Sequence, residues 1–223
     1  MIIAVDGASG TGKSTICKMV ARKLNMSFLD TGSIYRSVAL VVKEKNTPLD
    51  NNDALKKLCL SLKLRFEFQG DDNHIYLAER DISEEIRTPE VSMLASQVSS
   101  IPVVRASLLE MQRRFAKDSK KRGVIIDGRD IGTVVFPDAN LKLFFTASNE
   151  VRAKRRYDEL KAKGMKVDYN EVLKDTLERD KRDTEREISP LRKAYDAVEI
   201  NTDGMSIKEV NEQVKKLILE RLK

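Results

Sequence analysis

Residues 1–24 show two hydrophobic patterns separated by a glycine-rich segment. Residues 2–5 form an apolar run rich in β-branched side chains, short enough to be a buried strand. Beyond the glycines, apolar side chains recur at helical spacing, at Ile16, Met19, Val20 and Leu24. The pattern therefore predicts a strand, a glycine-rich turn and an amphipathic helix that begins near Lys13.

Further along the chain, short apolar runs alternate with amphipathic stretches. The apolar runs predict strands within residues 27–30, 123–127, 140–148 and 196–204. The amphipathic stretches predict helices within residues 33–45, 53–60 and 149–164, and helices that start at Thr88–Pro89 and at Pro102. This alternation predicts an α/β fold with a doubly wound, five-stranded parallel sheet, whose ligands bind at the carboxyl ends of the strands.

The last helix is predicted from a capping box and an apolar stripe. Ser206 and Glu209 have the spacing of a capping box, in which each side chain bonds the backbone of the other residue. The stripe that we expect this helix to bury consists of Ile207, Val210, Val214, Leu217 and Ile218.

A different periodicity interrupts the helices near residue 62. Apolar and polar side chains alternate through residues 62–69, which predicts a half-buried antiparallel strand. Residues 70–73 then predict a turn with His74 beside it, and residues 74–82 a second strand. We therefore expect residues 62–83 to form a small antiparallel β lobe inserted into the α/β chain.

The net charge of the chain indicates an acidic partner but does not distinguish a small molecule from a nucleic acid. The chain has 223 residues, 41% of them hydrophobic, which is enough for one sizeable core. Lys and Arg number 41 against 35 Asp and Glu, a net charge of +6 that suits acidic small molecules or a nucleic-acid surface. Aromatic residues make up only 5% of the chain, which leaves few rings to stack on bases.

The cysteines and the hydropathy indicate the compartment. Cys17 and Cys59 fall in helical stretches without paired spacing, so a disulfide framework or a zinc site is not expected. No apolar run approaches the ~20 residues of a membrane span, and the N-terminus is already the first predicted strand. These features predict a cytoplasmic protein with buried, inert thiols and no membrane partner.

The glycine-rich turn has the spacing of a phosphate-binding loop. Gly7, Gly12, Lys13 and Ser14 fit the pattern G-x-x-x-x-G-K-[ST], and the predicted strand and helix flank it as the pattern requires. Glycines let backbone N–H groups surround a phosphate, Lys13 can reach the β- and γ-phosphates, and Ser14 can ligate magnesium. The alternative is a glycine-rich turn that binds nothing. A nucleoside triphosphate is the ligand that the full pattern favours.

Such loops occur in switches, motors and kinases. A GTP switch would be expected to carry an N-K-x-D motif, which this sequence lacks. Arginines instead stand beside predicted turns at Arg36, Arg105 and Arg129, where they could bind phosphate or lie solvated on the surface. A GTP switch and a basic nucleic-acid-binding module stay open as alternatives to a kinase.

Several segments together resemble the bacterial cytidylate kinases over nearly the whole chain. They are "DGASGTGKS", "LDTGSIYR", "ASQVSSIPVVR", "DGRDIGTVVFPDA" and "ERDKRDTEREISPL". The resemblance implies transfer of the ATP γ-phosphoryl group to CMP or dCMP with Mg²⁺, by a monomer that binds no nucleic acid. The acceptor phosphate has a second pKa of about 6, so it is already ionised near neutrality and needs no general base.

The resemblance also implies a division of the chain. The core phosphate-loop domain would comprise residues 1–30, 84–151 and 191–223, with 84–105 partly in the monophosphate-binding region. Residues 31–83 would form the rest of that region, which includes the β insert at about 62–83. Residues 152–190 would form a helical lid that starts with Arg152, Arg155 and Arg156, for which a solvated helix face is the alternative.

For the donor, the resemblance implies one set of binding residues around the glycine-rich turn. The expected ATP ligands are Gly7, Ala8, Ser9, Gly10, Thr11, Gly12, Lys13, Ser14 and Thr15, with Arg155 and Arg156 from the lid. Magnesium would bind Ser14 and, through water, Asp127, for which a turn or helix-capping role is the alternative. The expected catalytic residues are Lys13, Asp127, Arg129 and Arg186.

For the acceptor, the resemblance implies a larger set. The expected CMP ligands are Asp30, Thr31, Tyr35, Arg36, Ser96, Arg105, Gly128, Arg129, Asp130, Arg179, Asp183 and Arg186. Arg36, Arg129 and Arg186 would clamp the phosphate, because a guanidinium binds two phosphate oxygens at once. Arg179 and Asp183 would bind the sugar, or else form only a surface pair. Ser96, Arg105 and Asp130 would read the base, with an ordinary helix-surface serine as the alternative for Ser96.

Overall fold

The computed structural model describes residues 1–69 and 72–222. In these residues the elements are, in chain order, β1 (Ile2–Gly7), α1 (Lys13–Lys23), β2 (Ser27–Asp30), α2 (Thr31–Glu44), α3 (Asn52–Ser61), β3 (Leu64–Gln69), β4 (Asp72–Leu77), β5 (Arg80–Asp81), a 3₁₀ turn (Glu85–Arg87), α4 (Pro89–Val98), α5 (Pro102–Asp118), β6 (Val124–Gly128), a π-helical turn (Ile131–Val135), β7 (Leu141–Thr146), α6 (Asn149–Ala162), α7 (Tyr169–Glu185), β8 (Val198–Asn201) and α8 (Ile207–Arg221). The predicted strands and helices are present with ends shifted by a few residues, except that the predicted second strand of the β lobe is divided into β4 and β5.

The main sheet is a five-stranded parallel sheet in the order β2-β6-β1-β7-β8. The first strand of the chain therefore lies in the middle of the sheet, between β6 and β7. The predicted doubly wound α/β fold is confirmed.

The described chain forms two compact units. The first unit comprises Met1–Leu29 and the described part of Phe115–Lys223, and it contains the main sheet with α1, α6, α7 and α8. The second unit, Asp30–Arg114, contains α2 to α5 and a three-stranded antiparallel sheet in the order β3-β4-β5. The division into a core, a monophosphate-binding region and a lid remains a prediction about function.

The core of the first unit joins one face of the sheet to two helices. Ile3 and Val5 of β1 are fully buried in a cluster with side chains of the flanking helices, among them Ile16, Val20, Val210, Val214 and Ile218. Two residues of the predicted apolar stripes are exposed. Met19 is 37% exposed because the buried stripe of α1 is centred on Cys17 and Val20, and Ile207 is 58% exposed at the first position of α8. The capping box of Ser206 and Glu209 is confirmed.

In the second unit, α2 packs against α3 and α4 through a continuous buried face. The predicted start of α4 is confirmed, since the Thr88 hydroxyl accepts from the N–H of Val91 and Pro89 is the first helical residue. Cys59 of α3 and Cys17 in the first unit are both buried, as expected.

The inserted β lobe has three strands where a hairpin of two was expected. The predicted second strand is broken at Ala78, whose φ of 53° is left-handed and turns the chain, so that β5 pairs back onto β4. His74 lies within β4 opposite Glu67, not beside the turn. Of the predicted turn at 70–73, Gly70 and Asp71 lie outside the described residues. Across the described ranges, no helix is both long and apolar enough to cross a membrane.

The backbone at Gly7 generates a stability prediction. Gly7 has a φ of 148°, and a Cβ added there would lie 2.3 Å from the carbonyl oxygen of Phe145 in the neighbouring strand. We therefore expect Gly7→Ala to lower the free energy of unfolding by about 2 kcal/mol or more. Urea unfolding followed by circular dichroism measures this, since the chain has no tryptophan.

Gly164→Ala is the matched control for this substitution. Gly164 also has a positive φ, 75°, but an added Cβ there meets no described atom within 4 Å. It should cost only the backbone strain, about 1 kcal/mol. Equal losses for the two variants would show that the contact with Phe145 is unimportant.

Candidate functional site

The glycine-rich loop occupies the turn between β1 and α1. Gly10 and Gly12 have φ values of 79° and 86°, which glycine adopts without strain. Within the described residues, no side chain caps the N-terminus of α1, and its first turn contains no acidic residue. The first N–H groups of α1 and the positive end of its dipole thus remain for an anion.

Four consecutive carbonyl oxygens of this loop accept hydrogen bonds from side chains. Lys13 Nζ and Thr11 Oγ1 donate to the Ala8 oxygen, at 2.8 and 3.0 Å. The other donors are Arg152 Nη1 to Ser9 at 3.0 Å, Arg155 Nη1 to Gly10 at 3.3 Å and Thr202 Oγ1 to Thr11 at 3.1 Å. In a trans peptide the C=O and the next N–H point in opposite directions. The N–H groups of residues 9–12 therefore point away from these donors, as an anion cradle requires.

Lys13 and Ser14 both lie beside Asp127, at the carboxyl end of β6. Lys13 Nζ is 3.9 Å from Asp127 Oδ1, and the Ser14 hydroxyl donates to Asp127 Oδ2. Burial, with a smaller effect of the positive charge of Arg129, lowers the pKa of Lys13 from 10.5 to about 8. The structure thus brings together the predicted phosphate-binding lysine and the two predicted magnesium residues.

Asp6 is a buried residue of the site that the sequence reasoning missed. Its carboxylate accepts the N–H groups of Ile131 and Gly132, each at 2.7 Å, and so fixes the turn that follows Asp130. Burial raises the pKa of Asp6 from 3.8 to about 7 even though these hydrogen bonds lower it. An acidic residue at the end of an otherwise apolar strand was the signal in the sequence.

Arginines from two elements surround Asp183 of α7. Arg129 Nε donates to Asp183 Oδ2 at 2.9 Å. Burial raises the pKa of Asp183, but the charges of Arg129, Arg179 and Arg186 outweigh it and hold that pKa below its ordinary value. Arg186 Nη2 also lies 3.9 Å from Asp130 Oδ1, and Arg129 Nη1 donates to the Gly128 carbonyl at 3.1 Å. The predicted acceptor residues of the first unit thus form one cationic group around a carboxylate.

The remaining predicted acceptor residues lie in the second unit. Arg36 Nη2 donates to Asp30 Oδ2 at 2.6 Å, next to Thr31 at the start of α2. The guanidinium of Arg105 lies 5.3 Å from the centre of the Tyr35 ring, and its Nη1 donates to the Ser99 carbonyl at 2.9 Å.

Burial distinguishes Ser96 from an ordinary surface serine. Ser96 of α4 is buried, contrary to the helix-surface alternative.

Gly32 leaves room for the Arg36–Asp30 pair, since an added Cβ would come within 2.9 Å of Asp30 Oδ1.

The predicted lid arginines differ in their surroundings. Arg152 is buried and bonds both the loop carbonyl of Ser9 and the carboxylate of Asp180, which ties α6 to α7. Arg155 bonds Gly10 and Thr202. Arg156 donates to Glu159 on its own helix at 2.8 Å. The structure therefore brings Arg155 to the loop and leaves Arg156 in a pair along α6.

Thr202 and Asp180 also escaped the sequence reasoning. Thr202 directly follows β8, so its place at the carboxyl end of a parallel strand was a usable signal. Asp180 precedes Asp183 by three residues on α7, a spacing that puts both on one side of the helix.

A model of the family described as "Cytidylate kinase" matches residues 3–220. The chain belongs to the cytidylate kinase family. A cytidylate kinase of Carboxydothermus hydrogenoformans is 48% identical over 210 residues, which cover 94% of this chain and 93% of the relative. One of Fervidobacterium nodosum is 45% identical over 224 residues, with 98% and 96% covered, and one of Geobacter sulfurreducens is 44% identical over 221 residues, with 99% and 94% covered.

Membership of the cytidylate kinase family confirms the predicted class. The protein is a nucleotide-binding phosphotransferase, and ATP is the phosphoryl donor. Among solved structures, an uncharacterized protein from Eubacterium ventriosum shares the fold with a TM-score of 0.51, at 14% identity and with 98% of each chain covered.

The burial of Lys13 leads to a prediction for both the activity and the stability of the protein. We expect Lys13→Met to lower the turnover of phosphoryl transfer at least about a hundredfold. At pH 7 it should not lower the free energy of unfolding, since it removes a buried charge and Thr11 still donates to the Ala8 carbonyl.

The pH dependence checks the cause of this effect. Between pH 8 and 10.5 the unfolded wild-type chain holds more protons at Lys13 than the folded chain. The wild type therefore gains stability as the pH rises through that range, and the advantage of Lys13→Met shrinks. Urea unfolding of the wild type and of Lys13→Met at pH 7 and pH 9.5 measures the two free energies of unfolding, with substitution of the exposed Lys57, Lys57→Met, as control. A large stability loss at pH 7 with normal turnover would contradict the assignment.

Proposed function

We propose that this protein transfers the γ-phosphoryl group of ATP to CMP or dCMP, forming ADP and CDP or dCDP. The observation that carries the proposal is the hydrogen bonding of the glycine-rich loop. Side chains donate to the carbonyl oxygens of residues 8–11, so the N–H groups on the opposite side of the loop and at the start of α1 can bind phosphate together with Lys13. This arrangement binds a polyphosphate, and the family identifies the reaction class.

Magnesium fits the residues beside the loop. A hydroxyl and a carboxylate, Ser14 and Asp127, lie in contact there, and Mg²⁺ usually keeps several waters and few protein ligands. The described residues hold no group of three or more His, Cys, Asp or Glu that would form an all-protein metal site. We propose that Ser14 binds the ion directly and Asp127 through water. When bound, the ion neutralises charge on the β- and γ-phosphates.

The acceptor is held by charge and needs no covalent chemistry. We assign Arg36, Arg129 and Arg186 to the phosphate of CMP, because bidentate guanidinium groups both orient and neutralise phosphate oxygens. The attacking oxygen is ionised near neutrality, so the enzyme's task is to bring two polyanions into line. The cationic group around Asp183 supports this role, since its three arginines outnumber the two carboxylates beside them, Asp183 and Asp130.

The nucleoside would be recognised by the other predicted residues. We assign Arg179 and Asp183 to the sugar hydroxyls, and Asp130, Ser96 and Arg105 to cytosine. Cytosine offers an amine donor and a ring-nitrogen acceptor where uracil offers a carbonyl and an N–H. A carboxylate only accepts and a guanidinium only donates, which suits the first base and not the second.

The lid remains a proposal about motion. We propose that residues 152–190 close over the phosphates and exclude water from them, with Arg156, and with Arg155 once it exchanges its bond to Gly10, reaching the ATP phosphates. The Arg152–Asp180 bonds support a lid that moves as one piece, because they join its two helices. We further propose a monomer that acts in the cytoplasm on small molecules; the buried thiols of Cys17 and Cys59 agree with a reducing compartment.

The activity itself is tested by following products. Purified protein with ATP and Mg²⁺ should convert CMP and dCMP to diphosphates with equal formation of ADP, measured by chromatography. The kcat/KM for UMP should be lower by up to about 10⁴-fold. Lys13→Met is the inactive control. Slow hydrolysis of GTP without any CDP from CMP and ATP would instead indicate a switch.

Base selectivity is tested at Asp130. We expect Asp130→Asn to lower the ratio of kcat/KM for CMP to that for UMP at least about tenfold, because the amide can donate to the uracil carbonyl. The amide also keeps the size of the carboxylate beside Arg186. Arg36→Ala is the matched control and should weaken both monophosphates alike. A ratio unchanged in Asp130→Asn would remove Asp130 from base recognition.

A further inference from the structure

Thr202 bonds the glycine-rich loop from the end of the last strand. It follows β8 and is 3% exposed. Its Oγ1 lies 3.1 Å from the Thr11 carbonyl oxygen and 3.2 Å from that of Thr146, and Arg155 Nη1 donates to it at 3.0 Å. The hydroxyl thus links the ends of β7 and β8, helix α6 and the loop.

The direction of the hydroxyl proton follows from counting donors. A threonine hydroxyl has one proton and two lone pairs. Arg155 already donates to the oxygen, so the single proton must serve one of the two carbonyls. The Thr146 carbonyl accepts the N–H of Thr202 itself at 2.9 Å. The hydroxyl of Thr202 therefore donates its proton to the Thr11 carbonyl.

Holding the Thr11 carbonyl also orients the peptide that joins Thr11 to Gly12. The N–H of that peptide belongs to Gly12 and points opposite to the carbonyl. Gly12 has a φ of 86° and carries no side chain that could fix this peptide by packing. Without the hydroxyl of Thr202, the N–H of Gly12 could tilt away from a bound phosphate.

We propose that Thr202 is a positioning residue for the donor nucleotide, which acts by fixing the Thr11–Gly12 peptide in the conformation that binds phosphate. The proposal rests on the proposed function, in that the loop binds the phosphates of ATP. Thr202 itself touches no substrate in this role. Its removal should therefore affect the donor nucleotide and leave the acceptor unchanged.

The test compares two substitutions at Thr202. Thr202→Val keeps the shape and removes the hydroxyl, whereas Thr202→Ser keeps the hydroxyl and removes the methyl group. Calorimetric titration with Mg·ADP, in the absence of any acceptor, should show about tenfold weaker binding for Thr202→Val, the usual effect of one lost hydrogen bond. Thr202→Ser should bind within about twofold of the wild type. In turnover, the KM for ATP should rise in Thr202→Val while the KM for CMP stays constant.

Thr146→Val is the matched control. The Thr146 hydroxyl stands at the end of the neighbouring strand and contacts the exposed Glu199 at 3.4 Å, away from the loop carbonyls. This variant should bind Mg·ADP like the wild type. Circular dichroism fixes a temperature at which all variants are fully folded, and the titrations are made there.

Two results would overturn the proposal. One is unchanged Mg·ADP affinity in Thr202→Val. The other is an equal loss of affinity for ADP and CMP, or a loss that Thr202→Ser does not rescue, since either would indicate a general structural role. Failure of the proposed function would look different: wild-type protein would form no CDP, whereas Thr202→Val would still bind Mg·ADP more weakly than wild type.

Discussion

A peptide group cannot aim its N–H at a ligand without aiming its carbonyl the other way, and the glycine-rich loop must satisfy both ends at once. The hydrogen bonds to the carbonyls of Ala8, Ser9 and Thr11 are buried or partly buried, and these carbonyls would destabilise the loop if they lost water without gaining donors, whereas the bond to the carbonyl of Gly10 is exposed. Each one accepts a side-chain hydrogen bond. The outward bonds are the condition for an inward-facing phosphate site, and much of the first unit is arranged to supply them.

The order of the sheet explains where these donors come from. Because β7 lies beside β1 and β8 beside β7, the segments that follow these strands reach the same edge as the loop. Arg152 and Arg155 come from the helix after β7, and Thr202 comes directly after β8. Lys13 combines two tasks, since it bonds the loop carbonyl of Ala8 and lies near Asp127. Removing water from this lysine lowers its pKa, so a bound phosphate would restore a charge that burial disfavours.

The sequence predicted the parts of the structure that depend on local pattern. Strand and helix periods located the elements of the sheet, and the loop spacing located Lys13 and Ser14, because these signals are encoded within a few residues. Contacts between distant segments were not predictable in this way. Arg129 and Asp183 are separated by 54 positions, and the break of the second lobe strand depends on one left-handed residue, Ala78. Family resemblance supplied the proposed role of Arg179 and Asp183, whereas the contacts that Asp6, Asp180 and Thr202 make were visible only in the structure.

The central position of β1 determines when the main sheet can form during synthesis of the chain. Strand β1 pairs with β6 and β7, which begin at Val124 and Leu141, so during synthesis it has no sheet neighbours until the chain beyond Val124 has been made. The donors to the carbonyls of Ser9, Gly10 and Thr11 arrive later still, with Arg152, Arg155 and Thr202. The full set of loop donors is thus present only after Thr202 has been synthesised, and stabilisation of the nascent chain by bound nucleotide is expected from that point onward.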